Sequence, residues 1–266
     1  MIRVCLAGAT GWAGSELARG IAATDDLALV AAVSRSQAGR SLGDVLGEPR
    51  LAACPVAQSA ADALATPCEV FVEYTRPDSA KGNILAALER DAHVVVGTSG
   101  LTDADYAEID AVARARQRGV LACGNFAITV VLLQKFAEAA ARLIPQWEIV
   151  DYAYDGKVDA PSGTARELAA RLGKVRAPLQ TVPLDQVRGP RETRGATLSG
   201  TQVHSVRLPS FVISAEVIFG MPDQRLTIRH DSGQSARPYV DGALIAIRKV
   251  HTLTGVHRGL DSVLDL

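Results

Sequence analysis

The stretch Ile2-Arg3-Val4-Cys5-Leu6-Ala7-Gly8-Ala9-Thr10-Gly11-Trp12-Ala13-Gly14 decides the fold. Its first residues are apolar apart from Arg3 and too few for a helix, so they read as a buried strand over residues 2–8. The strand ends on Gly8, glycine recurs at 11 and 14, and an amphipathic stretch then reads as a helix to about residue 23. Strand, glycine turn and helix start, in that order, gather backbone N–H groups and the positive end of a helix dipole at one point. Such a point suits a pyrophosphate. The spacing Gly8-x-x-Gly11-x-x-Gly14 departs from the common dinucleotide fingerprint, whose first two glycines are separated by one residue. A plain tight turn would need the same glycines, but the strand before and the helix after supply the context a dinucleotide site requires. Gly8, Thr10, Gly11, Trp12 and Ala13 are therefore expected to bind the cofactor.

Working outward, strands are expected at 27–33, 69–74, 93–96 and 120–123, and helices at 77–90 and 103–117. Pro77 suits a first helical turn, where its missing N–H costs nothing. Residues 34–47 are polar and glycine-rich and read as loop. Alternation of strand and helix with short connections predicts an α/β domain with a Rossmann-type, doubly wound parallel sheet. The texture changes after Gly124. A helix is expected at 128–143, a strand at 147–154, a helix from about Ser162, and a loop rich in Pro, Gly and Arg at 177–200. Three strand-like runs follow without helices between them, at 202–208, 211–220 and 225–230, and predict an antiparallel or mixed sheet. The division expected is a dinucleotide-binding domain at 1–125 and a smaller α+β domain for substrate and oligomerisation at 126–235. A helix and tail at 236–266 pack back on the first.

Bulk properties narrow the function. The chain has 266 residues, 48% hydrophobic, with Lys plus Arg 28 against Asp plus Glu 29. A net charge of −1 gives no global basic field for nucleic acid or an anionic membrane. Cys5, Cys54, Cys68 and Cys123 form no CxxC pair or metal-ligand spacing, so no metal is expected, and Cys5 and Cys123, inside apolar runs, read as small buried apolar residues. No apolar run reaches the roughly 18 residues of a membrane helix. Met1-Ile2-Arg3-Val4 runs straight into a strand pattern, so a signal peptide is not expected and the cytoplasm is.

The end of the second strand separates the two nicotinamide dinucleotides. An acid there would bind a ribose 2′-hydroxyl, whereas an arginine accommodates a 2′-phosphate. This chain has Val33-Ser34-Arg35-Ser36. Ser34 can donate one hydrogen bond and Arg35 charge-assisted ones. NADPH is expected, with NADH the weaker ligand; a solvated loop arginine is the competing reading.

The segment Lys157-Val158-Asp159-Ala160-Pro161-Ser162-Gly163-Thr164-Ala165 is the most specific in the chain. Pro161 fixes a turn, Ser162 can cap a helix, Gly163 lets backbone approach a ligand, and Thr164 adds a hydroxyl. Free N–H groups at a helix start, with Lys157 nearby, make a carboxylate site. An ordinary capped helix with a surface lysine explains the same residues equally well.

This run resembles the K-x-D-A-P-S-G-T-A signature of the 4-hydroxy-tetrahydrodipicolinate (dihydrodipicolinate) reductase family, without a break. Gly97-Thr98-Ser99-Gly100 resembles that family's G-T-T-G turn and Gly124-Asn125-Phe126-Ala127 its A-N-F-S segment. Thr75-Arg76-Pro77 resembles its F-T-R-P, and Val263-Leu264-Asp265-Leu266 its ending. The resemblance implies a homotetramer that transfers hydride from NAD(P)H to a cyclic, dicarboxylated imine-like substrate, in lysine and diaminopimelate biosynthesis. Gly97, Thr98, Ser99, Cys123, Asn125 and Phe126 would bracket the nicotinamide. Lys157, Ser162, Gly163 and Thr164 would hold a substrate carboxylate, and Lys157 would also donate a proton.

The resemblance breaks just before the lysine. Two adjacent histidines stand there in the family, the first its general acid; here the positions are Ala153 and Tyr154. Reducing C=N or C=C needs a proton as well as a hydride. Alanine cannot donate one, and tyrosine, with a pKa of about 10, is a weak acid at neutral pH. Tyr154 and Lys157 become the catalytic candidates. His204 and His230 fall on strand-like runs and read as structural. Two alternatives stay open: a non-reductive lyase or isomerase on the same scaffold, and an NADPH-binding pseudoenzyme.

Overall fold

A computed structural model describes residues 1–264; Asp265 and Leu266, with which the expected family-like ending closes, lie outside the described residues. The chain forms two compact units, Met1–Ile128 with Ala236–Leu266, and Thr129–Ser235. In chain order the first unit carries β1 (Ile2–Ala7), α1 (Trp12–Ala22), β2 (Leu27–Val33), α2 (Leu42–Leu46), β3 (Val56–Ala57), α3 (Ala60–Ala63), β4 (Val70–Glu73), α4 (Pro77–Glu89), β5 (His93–Val96), α5 (Asp103–Ala115) and β6 (Gly119–Ala122). There follow α6 (Ile128–Leu143), β7 (Gln146–Ala153), α7 (Gly163–Val175), β8 (Ala196–Leu198), β9 (Thr201–Arg207), β10 (Ile213–Met221) and β11 (Gln224–Ser232). The chain then returns to the first unit as α8 (Val240–Lys249) and β12 (Gly255–Arg258).

The first unit is built on a seven-stranded sheet in the order β12-β6-β5-β4-β1-β2-β3, and every pairing in it is parallel. Strands such as Val70-Phe71-Val72 and Val94-Val95-Val96 are apolar on both faces because helices cover both. Phe71, Ile84, Leu88, Val94 and Ile109 share one core and are fully buried. Burying a side chain of that size contributes about 1.5–3 kcal/mol. Helix starts follow local chemistry: Pro77 opens α4 in its first turn, and Thr102 and Asp105 form a reciprocal capping box on α5.

Three expectations need correction. The loop expected at 34–47 closes into α2, whose Ser41 accepts hydrogen bonds from the Gly43 and Asp44 N–H groups and whose end is Gly47 at φ +64°. The helix expected from residue 236 has 3₁₀ turns at both ends, Arg237–Tyr239 and Val250–Thr252; Pro238 lies in the first and has no N–H to donate. The loop at 177–200 holds two 3₁₀ turns and the short β8.

The second unit is a five-stranded mixed sheet, β11-β10-β7-β9-β8, in which only β7 and β9 pair in parallel. One face packs on α6 and α7: Leu133, Ala137, Leu168 and Leu172 meet Trp147, Ile149, Val217 and Phe219. Strand β7 alternates, with Trp147, Ile149, Asp151 and Ala153 buried. An acid on that apolar parity must find a buried partner, and the partner is part of the site below.

Candidate active site

In the first unit the strand order reverses at β1, which lies between β4 and β2. Open parallel sheets bind ligands at the carboxyl ends of strands around such a reversal. The glycine turn sits there. Gly8 has φ +80°, and a Cβ on it would lie 2.3 Å from the Tyr74 carbonyl oxygen; one on Gly14 would lie 2.1 Å from the Gly8 oxygen. The turn therefore closes only with glycine at both positions. Gly11 is the N-cap of α1, and no side chain caps that helix, so its first N–H groups remain for a ligand.

A cavity of about 340 Å³ opens beside this helix start. Gly11, Trp12 and Ala13 line one part of it, and Gly97, Thr98, Ser99, Cys123, Asn125 and Phe126 the rest. A second cavity of about 550 Å³ lies at the ends of β2 and β3, with Gly8, Ser34 and Arg35 in its wall. Thr10 lines neither; its hydroxyl shares a 2.7 Å hydrogen bond with that of Ser34. Arg35 is exposed and makes no ion pair among the described residues, although Arg76 and Asp78 also border its cavity. An uncapped helix start, a turn no Cβ can enter and two adjoining cavities fit an extended dinucleotide.

Two features of this region escape a reading by motif. The Tyr74 hydroxyl is buried without a hydrogen-bond partner among the described residues, and burial pushes its pKa far above the ordinary value. Glu73, the last residue of β4, is fully buried. It accepts hydrogen bonds from the Thr75 N–H (2.7 Å), the Thr75 hydroxyl, Asn83 Nδ2 (2.8 Å) and the Thr98 hydroxyl (3.3 Å). The signal in the sequence was an acid closing an otherwise apolar buried strand.

In the second unit the Lys157 segment enters α7 as expected. Ser162 is the N-cap, its hydroxyl oxygen accepting from the Ala165 N–H at 3.3 Å. Its own N–H donates to Asp151 Oδ2 at 2.9 Å, so Ser162 serves first to build the turn. The N–H groups of Gly163 and Thr164 meet no protein acceptor among the described residues. A Cβ on Gly163 would meet nothing nearer than Arg166 Nη2 at 3.9 Å, so space above the turn is open. Lys157 Nζ lies 2.5 Å from Asp159 Oδ1, and this ammonium holds the Asp159 carboxyl below the usual carboxylate range.

Beneath the turn lies a buried ion pair. Arg207 Nη2 donates to Asp151 Oδ2 at 2.7 Å and to the Asp159 carbonyl oxygen at 2.8 Å. Asp151 is fully buried, so one carboxylate and one guanidinium anchor both ends of the Asp159–Ser162 turn.

Ala153, where the family has its first histidine, is fully buried, and Tyr154 is 46% exposed. The histidines of this unit are engaged elsewhere: His204 Nε2 lies 2.6 Å from Glu148 Oε2, and His230 Nδ1 2.9 Å from the Thr129 hydroxyl. Among the described residues no cluster of acids, histidines and cysteines could hold a metal, and no helix is long and apolar enough to cross a membrane.

Comparison with known proteins agrees with this architecture. Two family models match in tandem: dihydrodipicolinate reductase, N-terminus, over residues 2–126, and dihydrodipicolinate reductase, C-terminus, over residues 129–264. The 4-hydroxy-tetrahydrodipicolinate reductase of Moorella thermoacetica is 40% identical over 267 residues, spanning 99% of this chain and 98% of that protein. The enzyme of the same name from Synechococcus elongatus is 37% identical over 273 residues, with 99% and 98% coverage. Among solved structures, the dipicolinate-bound dihydrodipicolinate reductase of Paenisporosarcina sp. TG-14 superposes with a TM-score of 0.89 at 30% identity, covering 99% of this chain and 100% of that one. An amine dehydrogenase from Mycobacterium smegmatis, at 16% identity and a TM-score of 0.70 over 100% and 96% of the two chains, shares the fold.

Proposed function

The chain belongs to the dihydrodipicolinate reductase family and is an NAD(P)H-dependent oxidoreductase; from that premise we propose that it reduces a cyclic, dicarboxylated, imine-like substrate with NADPH. The observation that carries the substrate class is the start of α7. The Gly163 and Thr164 N–H groups are unengaged there among the described residues, the space beside Gly163 is open, and the helix dipole favours a carboxylate; Lys157, paired with Asp159, is the cation of the same segment. Dipicolinate, a dicarboxylate, is bound in the similar reductase from Paenisporosarcina sp. TG-14, which supports the same class here. The dinucleotide supplies the hydride. Thr164 adds a hydroxyl at the carboxylate, Ser162 shapes the turn, and Lys157 Nζ and the Tyr154 hydroxyl are the proton donors left to this chain.

Lys157→Met tests the reading. Loss of a charged hydrogen bond is worth about 1.5–3 kcal/mol. KM for the dicarboxylate should therefore rise by about 10–100-fold while NADPH affinity stays unchanged. An unchanged KM would remove Lys157 from the site.

The preference for NADPH rests on Ser34 and Arg35 in the second cavity. NADPH should bind several-fold tighter than NADH in a fluorescence titration, and Arg35→Ala should erase the difference; equal affinities in the native protein would contradict it. The proposal includes a homotetramer, supported by the half-buried apolar residues Val150, Tyr152, Val206 and Ile218 on the sheet face opposite the helices. Light scattering should give four times the monomer mass, and a monomer at micromolar concentration would refute it.

Ala153 and Tyr154 favour a second reading, in which the protein binds NADPH and a carboxylate but catalyses a non-reductive step or none.

A further inference from the structure

Glu73 is a fully buried carboxylate that no lysine, arginine or histidine pairs with among the described residues. Buried charges are expensive unless hydrogen bonds satisfy them, and four donors do so here. The identity of the donors is the informative point. Thr75 belongs to the loop after β4 and lines both cavities. Asn83 belongs to α4 and lines the second cavity. Thr98 belongs to the loop after β5 and lines the first, and its hydroxyl also donates to the Glu73 carbonyl oxygen at 3.2 Å. One side chain thus ties together the walls of both cavities from below.

We propose that Glu73 is a positioning residue for the dinucleotide: it braces the Thr75 and Thr98 loops in the conformation the cofactor binds, so that their ordering is done before binding. The inference rests on the reading that these cavities hold NAD(P)H. A loop held in its bound conformation binds more tightly because less freedom is lost on association.

The test is NADPH affinity, measured by fluorescence titration of the full chain well below its unfolding temperature. Glu73→Ala removes every acceptor and should raise the Kd about tenfold or more, the worth of one to two hydrogen bonds. Glu73→Gln keeps a carbonyl acceptor for Thr75 and Thr98, and the Asn83 amide can turn to accept from the new amide. Its Kd should stay within about threefold of native. Thr98→Val should weaken binding on its own and add nothing in the Glu73→Ala background. Hydrogen exchange at residues 75–79 and 97–99 should quicken in Glu73→Ala. An unchanged Kd in Glu73→Ala, even with a lowered unfolding temperature, would make Glu73 structural only and overturn the proposal. An equal loss in Glu73→Gln would assign the effect to charge and overturn the brace. If the native protein fails to bind NADPH, the underlying reading falls with it, which separates the two failures.

Discussion

Turnover of 4-hydroxy-tetrahydrodipicolinate is expected to be slow, and the double variant Ala153→His, Tyr154→His is expected to raise kcat by about 10²-fold or more while changing KM less. On the proposed reading, Lys157 and the start of α7 hold a carboxylate in the ground state and the transition state alike. Binding of that uniform kind lowers KM without raising kcat. What is absent is a donor titrating near operating pH, because Ala153 has no proton and a tyrosine is a weak acid. The structure adds a condition. Ala153 is fully buried on the packed parity of β7, so a histidine there must displace neighbours, at a typical cost of about 1–3 kcal/mol. The unfolding midpoint therefore belongs in the same experiment, with Tyr154→His alone as the variant that packing tolerates. A native kcat of about 1–10³ s⁻¹, the ordinary enzyme range, would contradict the expectation. Lys157→Met and Tyr154→Phe would then identify the group that supplies the proton.

Asp151→Ala is expected to cost about 3–5 kcal/mol of stability, because it leaves the Arg207 guanidinium largely buried without its carboxylate. The same change releases the Ser162 N–H that Asp151 accepts, so KM for the carboxylate substrate should rise in whatever fraction still folds. Urea unfolding reads the first effect and substrate titration the second. Asp151→Asn keeps an acceptor for Ser162 and should recover part of the substrate affinity without recovering the stability. An unfolding midpoint unmoved in Asp151→Ala would show that the pair is not an anchor.

Much of this was legible in the chain, for local reasons. Strands β2 and β5 and helix α6 announce themselves through uninterrupted or periodic apolar residues, and the glycine turn through its place between strand and helix. The turn into α7 is legible because Pro161, Ser162 and Gly163 each have local conformational consequences. What escapes is non-local. The two-residue β3 has no periodicity to detect. The strand β12, Gly255-Val256-His257-Arg258, reads as polar and exists because β6 offers it a parallel edge far back in sequence. Asp151 and Arg207 lie 56 residues apart, and only the β7–β9 pairing brings them together. Glu73 draws donors from helix α4 and from the loop after β5, so its role cannot be read from its neighbours in sequence.

The most direct test of the central claim, reduction by NADPH of a cyclic dicarboxylated imine, follows the hydride itself. The protein is incubated with NADPH carrying deuterium at both C4 positions and with 4-hydroxy-tetrahydrodipicolinate, and the product is analysed by mass spectrometry. The account predicts slow oxidation of the cofactor and one deuterium per molecule of product; in Lys157→Met at low substrate the oxidation slows further while each product molecule formed still carries one deuterium. Unconsumed NADPH alongside product that carries no deuterium would contradict it and leave a non-reductive enzyme in its place.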